Sequence, residues 1–516
     1  MDKRERLALA RIDPPKRSPT ERVRDFNPIS SPYDRETLIL QAQRCVECKN
    51  PPCMQACPLG NHIKDWLVLT AQGRVSEAAL CSRMTNPMPE ICGRICPQDR
   101  LCEEVCIVGV KHEPVAIGAI EWNINELTFA DGEFPVPPLP PPTGKLVAVI
   151  GAGPAGLACA AALVRRGHLV TVYDAWLQPG GLLRYGIPGF KLSRDVVDRE
   201  VEMLRRLGIT FVTNTRIGAH LTLDELFEIG FDAVFLGTGA TDAKRPETPG
   251  IHLDGIEDAL PFLIRNNVPA EDLPETLRGH DDLTSQRVAV FGGGDTAMDC
   301  VRTAVRLGAS EVRCIYRRDE ANMPGSRREV KSAREEGIEF LFLTQPVQFI
   351  GDERGHVRAV ECIRMELGEP GADGRRRPVA IPASNFEVEV DTAIVAFGFD
   401  PTPVPDQRDG QLRRTKYGSY EVDATLMTTR PGVFAGGDIV RGADLVVTAL
   451  KDGLDAARHI DEYLTVVGGQ WSLVVRDQNE DVYERLQARP RSASVCLLGR
   501  TRPRPGSLRP GDGTVS

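Results

Sequence analysis

Nine of the fourteen cysteines crowd between Cys45 and Cys106, and the other five are scattered through the rest of the 516 residues. The crowded ones form two groups, Cys45-x2-Cys48-x4-Cys53-x3-Cys57-Pro58 and Cys92-x3-Cys96-Pro97-x4-Cys102-x3-Cys106. A dense thiol cluster in a large chain without a secretory signal points to metal rather than disulfides. The short gaps and the terminal Cys-Pro are close to ferredoxin spacing, in which thiolates bind iron in fours and the last Cys of a run commonly serves a second cluster. Two zinc ions, each with four thiolates, are the alternative. Cys81 falls in a helical pattern and reads as structural, as do the scattered cysteines, which behave as small apolar residues.

The second kind of chemistry sits in glycine turns. Val149-Ile-Gly151-Ala-Gly153-Pro154-Ala155-Gly156 follows a buried strand and opens a helix. The first Gly makes the tight turn, the second lets backbone approach a pyrophosphate, and the third lets helix and strand pack closely. The phosphates then meet the free N–H groups and positive dipole of a helix N-terminus. Asp174 ends the next strand at the spacing that holds a ribose hydroxyl, and Pro154 just inside the helix is more typical of FAD than of NAD sites. Far downstream, Gly432-Val-Phe-Ala-Gly436-Gly437-Asp438 supplies an acid after tight glycines, suited to the ribityl or phosphate end of FAD. A helix from about Leu445 to Gly453 is expected to aim its N-terminus at the isoalloxazine.

Between these halves lies another turn, Gly292-Gly-Gly294-Asp295-Thr296-Ala297, with Ala297 in the third-glycine position. The following strand ends in Arg317-Arg318 where an NADH site would place an acid. Paired guanidiniums suit a 2′-phosphate through charge-assisted bonds, which favours NADPH; Arg327 and Arg328 stand nearby. Two nested dinucleotide sites imply hydride transfer from nicotinamide to flavin, chemistry that the cofactors carry, so no catalytic acid or base is assigned. A flavin that collects electrons in pairs serves one-electron partners only through a splitter. Zinc cannot pass electrons, and the thiols are therefore read as iron–sulfur ligands.

These sites need an α/β scaffold. Lys145–Ile150 and His168–Tyr173 read as buried strands around the helix Gly156–Arg166, and strand–turn–helix texture returns at Arg287, Asp391–Phe397 and Gly432–His459. The expected organisation is a helical iron–sulfur domain (1–133), a Pro-rich linker (134–144), an FAD-binding Rossmann-like domain in two parts (145–250 and 393–468) with an NADPH-binding Rossmann-like domain inserted (251–392), and a disordered Arg/Pro/Gly/Ser-rich tail (469–516). Residues 1–40 read as a polar lead-in with a helix around Asp34–Gln43, and His62–Met84 as two short helices between the thiol groups. A net charge of −9 argues against a nucleic-acid binder. The N-terminus lacks an apolar signal core, and the apolar stretch Leu146–Val164 is broken by the glycine turn, so a cytoplasmic protein without a membrane span is expected.

Several motifs together resemble the small subunit of NADPH-dependent glutamate synthase and its relatives, the N-terminal half of dihydropyrimidine dehydrogenase and the large subunit of NADH-dependent ferredoxin:NADP oxidoreductase. They are Cys45-Val-Glu-Cys48, Cys53-x3-Cys57-Pro-Leu-Gly-Asn-His-Ile-Lys-Asp-Trp66, Gly93-Arg-Ile-Cys96-Pro, Gly180-Gly181-Leu182-Leu-Arg-Tyr-Gly-Ile-Pro188, Gly292-Gly-Gly-Asp-Thr-Ala-Met-Asp299, Tyr316-Arg-Arg318 and Ala435-Gly-Gly-Asp438. The resemblance spans about residues 40 to 465. It implies interleaved ligation, with Cys45, Cys48, Cys53 and Cys106 on one [4Fe–4S] cluster, and Cys57, Cys96, Cys102 and Glu121 on the other. Cys92 stands as an alternative to Glu121. It further implies that Gly181 and Leu182 belong to the FAD site.

The implied activity is electron input to glutamate synthase, with a large FMN-containing subunit as acceptor. The same module feeding a pyrimidine-reducing subunit or ferredoxin is the second enzyme reading, and a degenerate structural subunit is the non-enzymatic one. A dithiol reductase role finds no Cys-x-x-Cys in the inserted region, where Cys300 stands alone. An N-terminal glutaminase would need Cys at position 2, which is Asp.

Overall fold

The computed structural model describes residues 2–132, 134, 137–371, 376–405 and 412–471. The thiol-bearing region is helical. Lys3–Ala8 (α1), Pro19–Arg22 (α2) and Arg35–Ala42 (α3) precede the first thiols, and Asp34 caps α3 by accepting from the Thr37 N–H. Pro52–Ala56 (α4) lies within the first thiol group. Ile63–Ala71 (α5) and Val75–Thr85 (α6) separate the groups, Pro89–Ile95 (α7) carries Cys92, and Ile117–Ala130 (α8) closes the domain. Leu38, Trp66, Leu67, Ala78 and Ile120 share one core, as the helical periodicity of the sequence requires.

After the linker the chain forms Leu146–Ile150 (β1), Leu169–Tyr173 (β2), Thr210–Val212 (β3) and Ala233–Leu236 (β4), with Pro154–Val164 (α9), Leu182–Tyr185 (α10), Arg194–Arg206 (α11) and Leu223–Ile229 (α12) between them. Next come Ala240–Ala243 (β5), Ile256–Asp258 (β6), the helix Ala259–Asn267 (α13), Arg287–Phe291 (β7), Asp295–Arg306 (α14), Glu311–Tyr316 (β8), Arg327–Glu335 (α15) and Glu339–Phe342 (β9). An antiparallel unit follows, Thr344–Gly351 (β10), Val357–Pro370 (β11), Arg376–Ala380 (β12) and Phe386–Glu389 (β13). Thr392–Val395 (β14), Phe399–Pro401 (β15), Val433–Ala435 (β16), Asp438–Arg441 (α16) and Val446–Trp471 (α17) complete the described chain.

Two parallel five-stranded sheets result, β16-β4-β1-β2-β3 and β6-β14-β7-β8-β9. Their central strands β1, β4, β7 and β14 are buried nearly throughout, as sheets covered by helices on both faces require. The chain passes between them on β5 and β15, which pair side by side and antiparallel. The return expected at 392/393 therefore falls one strand too early, because β14 is hydrogen-bonded between β6 and β7 and belongs to the inserted sheet. Helix α17 is much longer than the expected Leu445–Gly453 and packs across α9. A Cβ on Gly453 would lie 2.1 Å from the Ala155 carbonyl oxygen, so only glycine permits the crossing. Among the described residues no helix is long and apolar enough to cross a membrane. Of the tail expected to be disordered (469–516), residues 469–471 belong to α17 and the rest lie outside the described residues.

The polar lead-in is a strap. Ile29 N donates to Phe190 O (3.2 Å), Arg22 Nε to Glu336 Oε1 (2.8 Å), and Arg306 Nε to Asp25 O (3.0 Å), tying the N-terminus to both sheets' domains. The linker is anchored at its start, where the buried Phe134 ring meets Phe129 edge-on at 4.5 Å.

The helical domain is seated on α11. Arg83 of α6 makes a two-pronged bond to Glu200 (2.8 and 2.7 Å) with both side chains buried, and Arg199 bridges Glu90 and Glu126. Glu200→Ala strands the Arg83 charge at this joint. It is expected to lower stability by about 3–5 kcal/mol, read as an earlier midpoint in chemical denaturation, with Arg83→Met on the Glu200→Leu background recovering much of the loss.

Candidate functional site

The first turn leaves β1 at Gly151, whose φ of +101° suits glycine. A Cβ there would lie 2.4 Å from Gly237 O, and one on Gly156 would lie 1.8 Å from Gly151 O, so strand, turn and α9 close up only with glycine at both positions. Gly153 caps α9, and Pro154 takes the first helical position, where no N–H is needed. Beside Gly153 the space is open: its nearest neighbour beyond the adjacent residues is Gly181 Cα at 4.0 Å. Asp174 takes hydrogen bonds from Ala152 N (2.6 Å) and Trp176 N (2.8 Å), which clamps the turn to the end of β2. Burial pushes its carboxyl up to about 6.

The turn Gly436-Gly437-Asp438 sits over the start of α9: a Cβ on Gly437 would lie 2.9 Å from that of Ala155, and Gly437 N donates to Asp452 (2.8 Å). Asp438 Oδ1 is buried and accepts no hydrogen bond, and burial raises its carboxyl to about 7. A buried carboxylate oxygen without a donor is what a ligand's hydroxyl or N–H completes. The open cradle at Gly153 and this orphaned oxygen fit a dinucleotide. Leu182 begins α10, where Tyr185 stacks on Trp176 at 4.3 Å. The close partner Gly237-Thr-Gly239 at the end of β4 was not singled out in the sequence, although glycines directly after a buried strand are a readable signal.

The second turn repeats this geometry. A Cβ on Gly292 would lie 2.4 Å from Ala396 O beyond β14, as Gly151 stands to Gly237. Gly294 caps α14 with nothing within 4 Å of where a Cβ would be, an open cradle for phosphate. Asp295 Oδ1 accepts from Ser326 N (3.0 Å), Thr296 is half-buried and Ala297 fully buried in the first turn of α14. Arg317 is exposed, and Arg318 is half-buried with an Nε that has no acceptor. Arg328 instead donates to Arg94 O of the helical domain (2.8 Å), which narrows the guanidiniums free for a phosphate to Arg317, Arg318 and Arg327.

Thirteen described cysteines are free thiols. Cys45, Cys48, Cys53 and Cys106 line one cavity with Pro51, Pro52, Lys64 and Leu67. Burial pushes Cys45 up to about 11 and Cys53 to about 12, with the charges of neighbouring thiols adding to it. Cys57, Cys96, Cys102 and Glu121 form the other group: Glu121 acts electrostatically on all three thiols. Glu121 Oε1 accepts from Asn61 Nδ2 (2.5 Å) and Asn86 Nδ2 (3.1 Å), and no hydrogen bond is made to Oε2. Cys92 is buried beside this group and donates to Asn86 Oδ1 (3.7 Å). Thiols raised by crowding ionise when a cation arrives. Among the described residues no three His, Cys, Asp or Glu converge tightly enough for a single metal ion; the four thiols of the first set surround a cavity.

Fold and site thus define a flavin- and nicotinamide-dependent oxidoreductase with an iron–sulfur domain. Residues 145–453 match the pyridine nucleotide-disulphide oxidoreductase family, and residues 22–132 match dihydropyrimidine dehydrogenase domain II, 4Fe-4S cluster. The small chain of NADPH glutamate synthase from Escherichia coli K12 is 46% identical over 89% of this chain and 98% of its own; that of Azospirillum brasilense is 46% identical over 87% and 94%. The putative oxidoreductase AegA of E. coli K12 is 45% identical over 89% of this chain and 70% of its own. The chain belongs to the family of the glutamate synthase [NADPH] small chain. Among solved structures, FprA of Mycobacterium tuberculosis in complex with NADPH superposes with a TM-score of 0.57 at 20% identity, over 67% of this chain and 90% of that one, a likeness of fold.

Replacing Arg317 and Arg318 together by Ala is expected to raise the KM for NADPH by on the order of 10²- to 10⁴-fold, since each of the two charge-assisted bonds is worth about 1.5–3 kcal/mol. The KM for NADH should barely change. Equal effects on both coenzymes would overturn the 2′-phosphate assignment.

Proposed function

We propose that the chain is the NADPH-oxidising, cytoplasmic electron-input subunit of glutamate synthase, with FAD at the Gly151 turn, NADPH at the Gly292 turn and two [4Fe–4S] clusters delivering electrons to a large FMN subunit. When bound, these groups supply hydride acceptance and its splitting into single electrons. The protein's part is placement. Gly153, Pro154, Ala155, Gly156 and Asp438 would hold FAD, with Gly181, Leu182, Asp174 and Gly437 shaping its bed. Gly292, Gly294, Asp295, Thr296 and Ala297 would hold the NADPH pyrophosphate, with Arg317 and Arg318 on the 2′-phosphate.

One observation supports the reading: the thiols run outward from the FAD-side core, with Cys96 packed on it and Cys45, Cys53 and Cys106 on the core of the helical domain. Cys92, Cys96, Leu59, Ile95 and Leu101 pack against the core of the FAD-binding domain. Cys45, Cys53 and Cys106 belong to the separate core of the helical domain, which Cys57 and Cys102 also join; Val105, Ile107 and Val110 beside Cys106 are exposed. Cys57, Cys96, Cys102 and Glu121 would then hold the inner cluster, and Cys45, Cys48, Cys53 and Cys106 the outer one, facing the acceptor. Glu121, oriented by two amides on Oε1, offers Oε2 as the fourth inner ligand.

The identity to AegA, of which this chain spans 70% of the length, favours a second reading in which the same module serves another acceptor, such as ferredoxin or a pyrimidine-reducing subunit. Mixing with the large subunit decides between them. Glutamine- and oxoglutarate-dependent NADPH oxidation is expected; dye reduction by the chain alone, with no gain from the large subunit, would leave the second reading. Anaerobically reconstituted protein should contain iron and acid-labile sulfide, and protein that took up zinc alone would overturn both. Cys106→Ser should lose about half of the iron and sulfide, one cluster of the two, while NADPH still bleaches the flavin.

A further inference from the structure

The segment from Gly180 to Leu192 joins the two dinucleotide turns directly. Its start presses on the first turn, where a Cβ on Gly181 would lie 2.7 Å from Gly153 Cα. Its end enters the inserted domain. The Phe190 ring lies against the guanidiniums of Arg302 and Arg306, 4.5 and 3.9 Å from its centroid. The next residue, Lys191, donates from Nζ to Asp299 Oδ1 at 2.7 Å, with Glu329 Oε2 at 3.8 Å. Asp299 stands on α14, the helix whose N-terminus is the second turn. The N-terminal strap closes over the same place through Ile29 N on Phe190 O and the Phe26 ring 6.3 Å from that of Phe190.

The Lys191–Asp299 pair is 11% and 7% exposed and spans two domains. A buried pair within one domain would serve stability equally well. This one fixes the distance between two helix N-termini, each of which seats one of the two reacting cofactors. Hydride transfer depends steeply on that distance: reacting atoms must sit about 3–3.5 Å apart, and a misplacement of about 1 Å can cost on the order of 10²-fold.

We propose that Lys191 is a positioning residue for the hydride step: its bond to Asp299 sets how α14, and with it the nicotinamide, is seated against the flavin, while the strap holds the Phe190–Lys191 corner down. This rests on the assignment of the two turns to FAD and NADPH. Lys191 touches neither reacting ring in this account; it acts through α14.

The test uses FAD-loaded, full-length protein mixed anaerobically with NADPH in a stopped-flow spectrophotometer. Lys191→Met is expected to keep its FAD and to bind NADPH within about threefold of wild type. Flavin bleaching should slow by on the order of 10²-fold, and the long-wavelength charge-transfer absorbance that reports ring stacking should weaken. Lys191→Arg should restore most of both signals. Because Lys191→Met strands a buried carboxylate, Lys191→Met with Asp299→Leu provides a variant without one, and it should remain slow. A wild-type band and bleaching rate in Lys191→Met, a loss matched by an equal rise in the NADPH dissociation constant, or full recovery in the double variant would overturn the inference alone. Wild-type protein that took up no FAD, or did not respond to NADPH, would overturn the underlying assignment and the inference with it.

Discussion

The helical domain is held against the flavin domain by guanidinium–carboxylate joints on α11. Arg83 reaches Glu200 with both prongs, Arg199 reaches Glu90 and Glu126, and Arg94 of α7 lies over the Trp122 ring at 4.1 Å. A buried ion pair adds little net stability, because desolvation offsets attraction, but its planar geometry tolerates few orientations. An apolar contact of the same area would hold the domains together while letting them slide. Of the inner set, Cys96 packs on the FAD-side core beside Cys92, and Cys57 and Cys102 pack on the core of the helical domain. The ion pairs therefore specify a register between the helical domain and the flavin domain.

The two dinucleotide domains solve one packing problem in the same way. In each, the first glycine of the turn faces a backbone carbonyl beyond the neighbouring strand, Gly237 in one and Ala396 in the other, with 2.4 Å where a Cβ would have to go. Between the domains, Arg22, Lys191, Arg302 and Arg306 meet Asp299, Glu329, Glu335 and Glu336, four cations with four anions. Charge is balanced across four separate stretches of chain, the strap, the Phe190–Lys191 corner, α14, and α15 through Glu336, so removing any one leaves part of the cluster unpaired.

Much of this was legible because glycine turns and thiol runs encode chemistry locally. β1, α9, β2, β7, α14 and β8 lie within a few residues of where alternating apolar runs and Gly-x-Gly spacing put them. The point of return to the first sheet was not legible: β14 and β16 are both short apolar runs, and only hydrogen bonding to β6 and β7 rather than to β4 tells them apart. The strap read as a polar lead-in because its anchor, Arg22, is a charged residue whose burial depends on partners more than three hundred residues away, a separation no local pattern carries. In the site, the Asp438 carboxylate was readable from its glycines, whereas the role of Asn61, part of the Cys53–Trp66 motif, and of Asn86 in holding Glu121 becomes visible only when the two are folded together.

The strap also imposes an order on biosynthesis. Arg22 and Glu336 are 314 residues apart in the chain, so at ribosomal rates of about 5–20 residues per second the N-terminal segment is made roughly 15–60 seconds before its docking place exists. Cys106, the last thiol of the two clustered groups, emerges early in that interval. The thiol-bearing helices can therefore be filled with iron and sulfide while the N-terminus is still loose, and the strap closes afterwards over a finished flavin and nicotinamide scaffold.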